Sequence, residues 1–138
     1  MTLAELLVSI AIIALVAAIA VPFYRTITVN LDLKAAERDI ASDLRLAQQL
    51  SVTSQINYQV IFNISGNSYS VKNAATGASV KARVIKPPIR ILSISGLSND
   101  TVTFNAIGAA TSTGSIILIN SNNVQKTITI EPSGYVRI

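Results

Sequence analysis

The chain has 138 residues, of which 50% are hydrophobic and only 13% are charged, and its formal net charge is +4. It contains no cysteine and no histidine, which excludes disulfides, thiol nucleophiles, Cys/His zinc sites and imidazole acid–base catalysis. After Asp43 the only side-chain carboxylates are Asp100 and Glu131, too few ligands for a calcium site. We therefore predict a single domain that is not an enzyme and that holds no metal and no cofactor.

The first predicted element is an apolar helix. Between Leu3 and Val21 only Glu5 and Ser9 interrupt a run of Leu, Ile, Val and Ala. Such a run spans roughly 28 Å as a helix, close to the hydrocarbon thickness of a bilayer. No Lys or Arg precedes Arg25, so the segment lacks the basic start of a secretory signal peptide and is predicted to be a retained membrane span. Its orientation stays open: either the domain after Arg25 is cytoplasmic, or a short basic leader once preceded Met1.

The helical pattern continues beyond this run to about Val52. Apolar or small residues recur at spacings of three and four, which places them on one helix face: Leu33, Ala36, Ile40, Leu44, Ala47 and Leu50 or Ser51. Polar residues are predicted to fill the other face: Lys34, Glu37, Arg38, Asp43, Arg45 and Gln48. Charge pairing does not explain this helix, so its apolar face must pack against a domain.

The whole helix would be on the order of 75 Å long, far more than a membrane is thick. Pro22 is expected to kink it, because proline removes a backbone donor and crowds the preceding turn. We divide the chain into an apolar N-terminal helix over residues 1–29 and a globular domain over residues 30–138.

After the helix the sequence changes to a period of two, which is typical of β strands. Strands are predicted over Ile56–Phe62, Tyr69–Val71, Ser79–Lys86, Ile89–Ser93, Thr101–Asn105, Ser115–Asn120, Val124–Ile130 and Tyr135–Ile138, with Gly, Pro and Asn turns between them. The predicted fold class is α+β, in which the C-terminal half of one long helix packs on an antiparallel sheet.

The first ten residues, Met1-Thr2-Leu3-Ala4-Glu5-Leu6-Leu7-Val8-Ser9-Ile10, resemble the mature N-terminus of type IV pilins and type II secretion pseudopilins. The resemblance extends through Ala17–Pro22, with position 1, Glu5 and Pro22 in register. It implies that a prepilin peptidase removes a short basic leader and methylates the new N-terminus at Met1. It would also settle the orientation, since the leader would hold the cytoplasmic charges and the domain would face outwards.

For Glu5 the resemblance implies a role in assembly, in which the carboxylate pairs with the N-terminal ammonium of Met1 on a neighbouring subunit. An acid inside an apolar span costs about 2.5–3.5 kcal/mol on insertion scales and by default marks a function. The alternative is that Glu5 only reaches the lipid headgroups. The apolar helix likewise either packs against copies of itself through its alanines or serves as a plain anchor. Pro22 is either a static kink or the point where the helix bends on assembly.

The segment Asp39–Gln48, followed by strands, is similar to the GspH/FimT-like domain of minor pilins and pseudopilins, as are Val102–Gly108 and Ile128–Ile138. The resemblance implies a structural subunit of a type IV pilus-like filament, a helical homo-oligomer built by an external platform. The subunit would reside in the inner membrane before assembly and in an extracellular fimbrium afterwards. The alternative is a minor pilin or pseudopilin that primes assembly in a pilus or in a type II secretion system.

Two surface features could add to this function. Lys81, Arg83, Lys86 and Arg90 fall within ten residues and, with Arg137, could face the phosphates of a nucleic acid. FimT-like proteins are associated with DNA uptake through a Gly-Arg-x-Arg motif, but Gly134-Tyr135-Val136-Arg137 lacks one arginine, and scattered surface cations are the favoured alternative. Asn63 and Asn99 begin glycosylation sequons, for which a plain polar surface is favoured instead.

Overall fold

The computed structural model describes residues 2–138, apart from the side chains of residues 21–23. It contains one long helix, α1 (Leu3–Ser54), followed by β strands. The strands are β1 (Tyr58–Asn63), β2 (Ser68–Asn73), β3 (Ser79–Val84), β4 (Arg90–Ser95), β5 (Thr101–Phe104), β6 (Gly114–Ile119), β7 (Gln125–Ile130) and β8 (Val136–Arg137), with a short 3-10 turn at Ser98–Asp100. The α+β class and the order of elements predicted from the sequence are confirmed.

Both ends of α1 have a local cause. At the start, the Thr2 side chain accepts a hydrogen bond from the backbone of Glu5, and the Glu5 side chain accepts one from the backbone of Thr2. This reciprocal capping box satisfies two donors that the first helical turn leaves without partners. At the other end Gln55 adopts a left-handed conformation with φ of 55°, which turns the chain out of the helix.

The strands form two antiparallel sheets, where the sequence analysis expected one. Sheet A has the order β3-β2-β1-β5, and sheet B has the order β4-β6-β7-β8. The chain passes from sheet A to sheet B between β3 and β4, back through β5, and then completes sheet B. Period-two patterning marks strands but not their partners, because alternation looks the same in one sheet and in two.

Asn67, in the turn between β1 and β2, holds the crossing from β3 to β4 in place. Its amide donates to the carbonyls of Ile85 and Ile89 at 2.9 and 2.8 Å, and its side-chain oxygen accepts from the Ile91 backbone at 2.9 Å. Asn67 itself has φ of 46°, a conformation that asparagine tolerates better than most residues. One side chain thus satisfies three backbone groups and connects the two sheets.

A single core fills the space between α1 and both sheets. The helix contributes the face that the periodicity predicted, with Leu33, Ile40, Leu44 and Ala47 almost fully buried. Sheet A adds Val60, Val71, Val102 and Phe104, and sheet B adds Ile91, Ile116, Leu118, Ile128 and Val136. Both sheets therefore depend on the same stretch of the helix for their burial.

Candidate assembly interface

The N-terminal half of α1 is apolar and uncovered. An 18-residue window near its N-terminus has a mean hydropathy of 2.9, and none of that window is buried. Within the described residues α1 is the one helix long and apolar enough to cross a membrane. The described side chains of the helix up to Ile27 are all exposed, Asn30 contacts the domain, and Leu33 is the first described residue that is buried. An exposed surface of this size has to be covered by lipid or by other protein.

Glu5 has a partner inside its own chain. Its Oε2 accepts from the Thr2 backbone at 2.7 Å, while the Thr2 Oγ1 accepts from the Glu5 backbone at 3.3 Å. The carboxylate therefore lies at the positive end of the helix dipole, where negative charge is favourable. Met1 and the side chain of Pro22 lie outside the described residues, so the N-methylation, the pairing of Met1 and the helix kink stay predictions.

A cluster of charges joins α1 to strand β3. Asp43 on the helix has a side chain only 3% exposed, and its two oxygens accept from Lys81 and from the Tyr69 hydroxyl, the latter at 2.8 Å. Arg83 contributes Nε at 3.3 Å from Asp43 and Nη1 at 2.7 Å from Asp39. Two cations and two carboxylates thus balance in charge, and the buried acid has the partners that its burial requires.

Tyr69 is the uncharged member of this charged cluster. Burial raises the pKa of its phenol far above the usual value, and the hydrogen bond to the Asp43 carboxylate raises that pKa further. Both effects keep the hydroxyl protonated, so that it remains a donor to Asp43. The ring packs on Phe62 with centroids 5.7 Å apart, which extends the charged cluster into the apolar core.

The charged cluster corrects the prediction for the polar face of the helix. The periodicity predicts Asp43 and Glu37 on the solvated side of the helix, but they are only 2% and 3% exposed. Glu37 faces Lys126 of β7, with Oε2 3.6 Å from Nζ. The reason is that two sheets cover a wider sector of the helix than one sheet would. Acids at the edge of the apolar face are therefore covered, and lysines and an arginine from the strands neutralise them.

The five basic residues singled out from the sequence do not form one patch. Lys81 and Arg83 lie on the inner face of β3, in line with Val71 and Tyr69 of β2, and point to the helix acids. Their positive charge is consequently neutralised by acids of the same domain. Binding of a phosphate backbone stays a prediction that rests on the remaining three cations.

Those three cations are themselves dispersed. Lys86 is exposed in the crossing between the sheets, while Arg90 and Arg137 are exposed on β4 and β8, the opposite edges of sheet B. The sequon residues Asn63 and Asn99 are both exposed. The Asn63 side chain accepts from the Gly66 backbone at 2.8 Å, and Asn99 has φ of 52° in the 3-10 turn. Their glycosylation also stays a prediction.

Two neighbouring loops close the far end of the domain, and the sequence marked both only as turns. Gln48 of α1 donates to the Gly108 carbonyl at 2.8 Å. Gly134 has φ of 82°, and a Cβ there would come within 2.1 Å of that same carbonyl oxygen. Only glycine permits this approach of the loop before β8 to the loop after β5. The close packing fixes both loops on the last turns of the helix.

No protein-family model matches the sequence, and no curated protein matches it. Solved structures do match its fold. The type IV minor pilin FimU of Pseudomonas aeruginosa superposes with a TM-score of 0.67 at 14% identity, over 81% of this chain and 91% of that one. The minor pseudopilin EpsH from the Type 2 Secretion System of Vibrio cholerae gives 0.66 at 13% identity, over 77% and 94%. The chain therefore has the fold of type IV minor pilins and minor pseudopilins.

Proposed function

We propose that this chain belongs to the type IV pilin and pseudopilin family and is a structural subunit of a pilus-like extracellular filament. The observation that carries the proposal is the uncovered apolar half of α1, which continues as one helix into a domain with the pilin fold. The apolar half would lie in the inner membrane before assembly and would pack against the same segment of other copies afterwards. Both surroundings remove its apolar surface from water, so exchange between them costs little free energy.

Processing and assembly follow from this proposal. A prepilin peptidase would generate Met1 as an N-methylated N-terminus, and a membrane platform would add subunits to the filament base. The chain itself would perform no catalysis. Glu5 would pair with the Met1 ammonium of its neighbour, because either charge alone is unfavourable in a dry bundle of helices.

The test of Glu5 has to distinguish the effect of its negative charge from the effect of its hydrogen bond to the Thr2 backbone, because the carboxylate also completes the capping box of α1. Glu5→Gln keeps a side-chain acceptor for the Thr2 backbone but removes the charge. We expect this variant to reach the membrane normally and to appear in sheared filaments at a strongly reduced yield, measured by immunoblotting of the sheared and membrane fractions.

Thr2→Ala is the matched control, because it removes the other half of the capping box and leaves the Glu5 charge in place. Its filament yield should stay close to that of the unmodified chain. If Glu5→Gln assembles normally while Thr2→Ala does not, Glu5 serves the helix end only and the proposed pairing is wrong.

A second candidate is a minor subunit that primes assembly of a pilus or a secretion pseudopilus. It is favoured by the two matched structures, which are a minor pilin and a minor pseudopilin. Mass spectrometry of sheared filaments separates the candidates by abundance. A dominant chain beginning with N-methylated Met1 would identify the repeating subunit, whereas trace amounts beside another pilin would identify a minor one. A chain confined to the membrane fraction would favour a pseudopilin.

A further inference from the structure

The far end of the domain presents a rigid apolar surface, which we call the distal patch: Val52, Ile107 and Tyr135. Ile107 is 84% exposed, Tyr135 58% and Val52 43%. The side-chain oxygen of Asn105 accepts hydrogen bonds from the backbones of Ile107 and Ala109 at 3.1 and 3.0 Å. These bonds stabilise the conformation of the loop after β5. Exposed apolar side chains on a fixed backbone bind partners with little loss of conformational entropy.

The other end of the domain carries a groove with both apolar and charged walls, which we call the proximal groove. It lies between residues 32–40 of α1 and residues 83–89 of the sheet crossing, and its volume is about 390 Å³. Ala35 and Ala36 form the helix wall, Val84 and Pro87 form part of the other wall, and Ile85 and Ile89 are buried at its base. The small alanines keep the groove open where larger side chains would fill it.

Among the described residues, each surface has one free charge that can pair with the other surface, Lys86 in the groove and Glu131 at the patch. Lys86 lines the proximal groove and is exposed, and Glu131 stands at the distal patch, where its backbone donates to the Tyr135 carbonyl at 3.0 Å. Within the described residues neither Lys86 nor Glu131 forms a salt bridge. Of the other charged side chains that line the groove, Arg83 and Asp39 are paired with each other. Asp32, on the helix wall, is exposed and belongs to none of the salt bridges among the described residues. In the part of the chain that the structure describes, the groove therefore offers a partner one free cation, Lys86 on the crossing wall, and one free acid, Asp32 on the helix wall.

The two surfaces are separated along the helix axis. From Ala36 in the groove to Val52 in the distal patch α1 rises about 24 Å. A molecule with two different complementary surfaces at opposite ends associates head to tail, and repetition of that contact produces an open helical filament when the rotation per step does not close a ring. A two-fold dimer would instead require one self-complementary surface.

From these observations we infer that the distal patch of one copy docks in the proximal groove of the next copy, with Glu131 of the first beside Lys86 of the second. The inference rests on the proposed function and extends it, because it assigns to the domains a specific contact beyond the packing of their helices. The occupant of the groove is thus a second copy of this chain, with Ile107 and Tyr135 as its anchors.

Cysteine cross-linking tests the contact directly, since the chain has no cysteine of its own. The full chain would carry Ala35→Cys in the groove and Ser133→Cys, an exposed position beside Tyr135 of the distal patch, which leaves both anchors in place. Its filaments would be oxidised and run on a denaturing gel. A repeating head-to-tail contact should give a ladder of covalent multimers. Each single variant should remain monomeric, because neither thiol meets a copy of itself. Ala35→Cys with Ala75→Cys is the matched control, since Ala75 is exposed in the β2–β3 turn and is not part of the distal patch.

A charge exchange gives a second test in the same cross-linking background. Lys86→Glu and Glu131→Lys should each cause loss of the ladder, and the two together should restore it. Filaments that form but give no ladder, or a ladder of equal strength from the Ala75 control, would overturn the inference and leave the proposed function standing. Failure of the unmodified chain to assemble at all would overturn both.

Discussion

Asp43 shows how one side chain determines the geometry of this domain. It is 2% exposed and contacts Tyr69, Lys81 and Arg83 on two adjacent strands. The side chains of the two cations are 34% and 40% exposed, so they retain part of their hydration while Asp43 has lost almost all of its own. The contribution of this charged cluster to the free energy of unfolding therefore depends mainly on Asp43.

Asp43→Ala should destabilise the domain by about 2–3 kcal/mol, because it leaves a buried hydroxyl without its acceptor and two cations without their counter-charge. Asp39→Ala is the matched control: Asp39 is 56% exposed and pairs with the same Arg83, and such surface pairs contribute less than about 1 kcal/mol. Thermal unfolding followed by circular dichroism in a non-ionic detergent measures both. Equal shifts in Tm would mean that burial of Asp43 has no energetic consequence.

Sequence reasoning at the residue scale identified Glu5 but not Asp43. Glu5 is conspicuous because every neighbour in the chain is apolar. Asp43 has the local surroundings of any surface acid, and its partners are Tyr69, Lys81 and Arg83, at least 26 residues away in the chain. Lys81 and Arg83 were interpreted as a possible phosphate surface for the same reason, because a linear sequence lists charges but not their partners.

At the scale of elements, α1 has two halves with different surroundings. The N-terminal half is apolar on all sides and uncovered, while the C-terminal half buries one face against two sheets. The side chains of Asn30 and Asn120 meet at 2.8 Å, where the turn between β6 and β7 contacts the start of the packed half. This contact lies at the boundary drawn from the sequence between residues 1–29 and 30–138.

We expect a fragment of residues 30–138 to fold and remain dissolved without detergent, because the core begins at Leu33 and Asn30 remains to pair with Asn120. The full chain should aggregate under the same conditions, since it exposes the apolar half of α1. Circular dichroism with thermal unfolding tests the first statement, and sedimentation velocity tests the second. A fragment without a cooperative transition would show that the apolar half contributes to the domain's stability.

One edge of each sheet, β3 in sheet A and β4 in sheet B, pairs irregularly, which the periodicity does not predict. The pairing of β2 with β3 shifts register between Val71 and Lys72, and that of β4 with β6 shifts between Ile91 and Ser93. Bulges of this kind twist an edge strand and discourage pairing with further strands. Association of this domain through its loops and grooves is consistent with such protected edges.

At the scale of the whole molecule, one helix serves two purposes. Its packed half is shared by both sheets, so the sheets and the helix form one core, and the domain can act as a rigid body attached to the exposed half. The loops at Gly108 and Gly134 close this body around Gln48. A rigid domain keeps the distal patch and the proximal groove at a constant separation, as a repeating contact requires.

The helix, the strands and the apolar surface that needs covering can be predicted from the order of the residues alone. The long apolar run, the helical period up to the end of α1 and the alternation in the strands are all patterns of neighbouring residues. They predict local structure because helices and strands place side chains on their faces with fixed periods. Tertiary structure alone decided that the strands form two sheets, that Asp43 and Glu37 are buried, and that the basic residues are divided between ion pairs and separate edges. These outcomes depend on which distant segments meet, because the free energy of a buried charge is set by its partners in space and not by its neighbours in sequence.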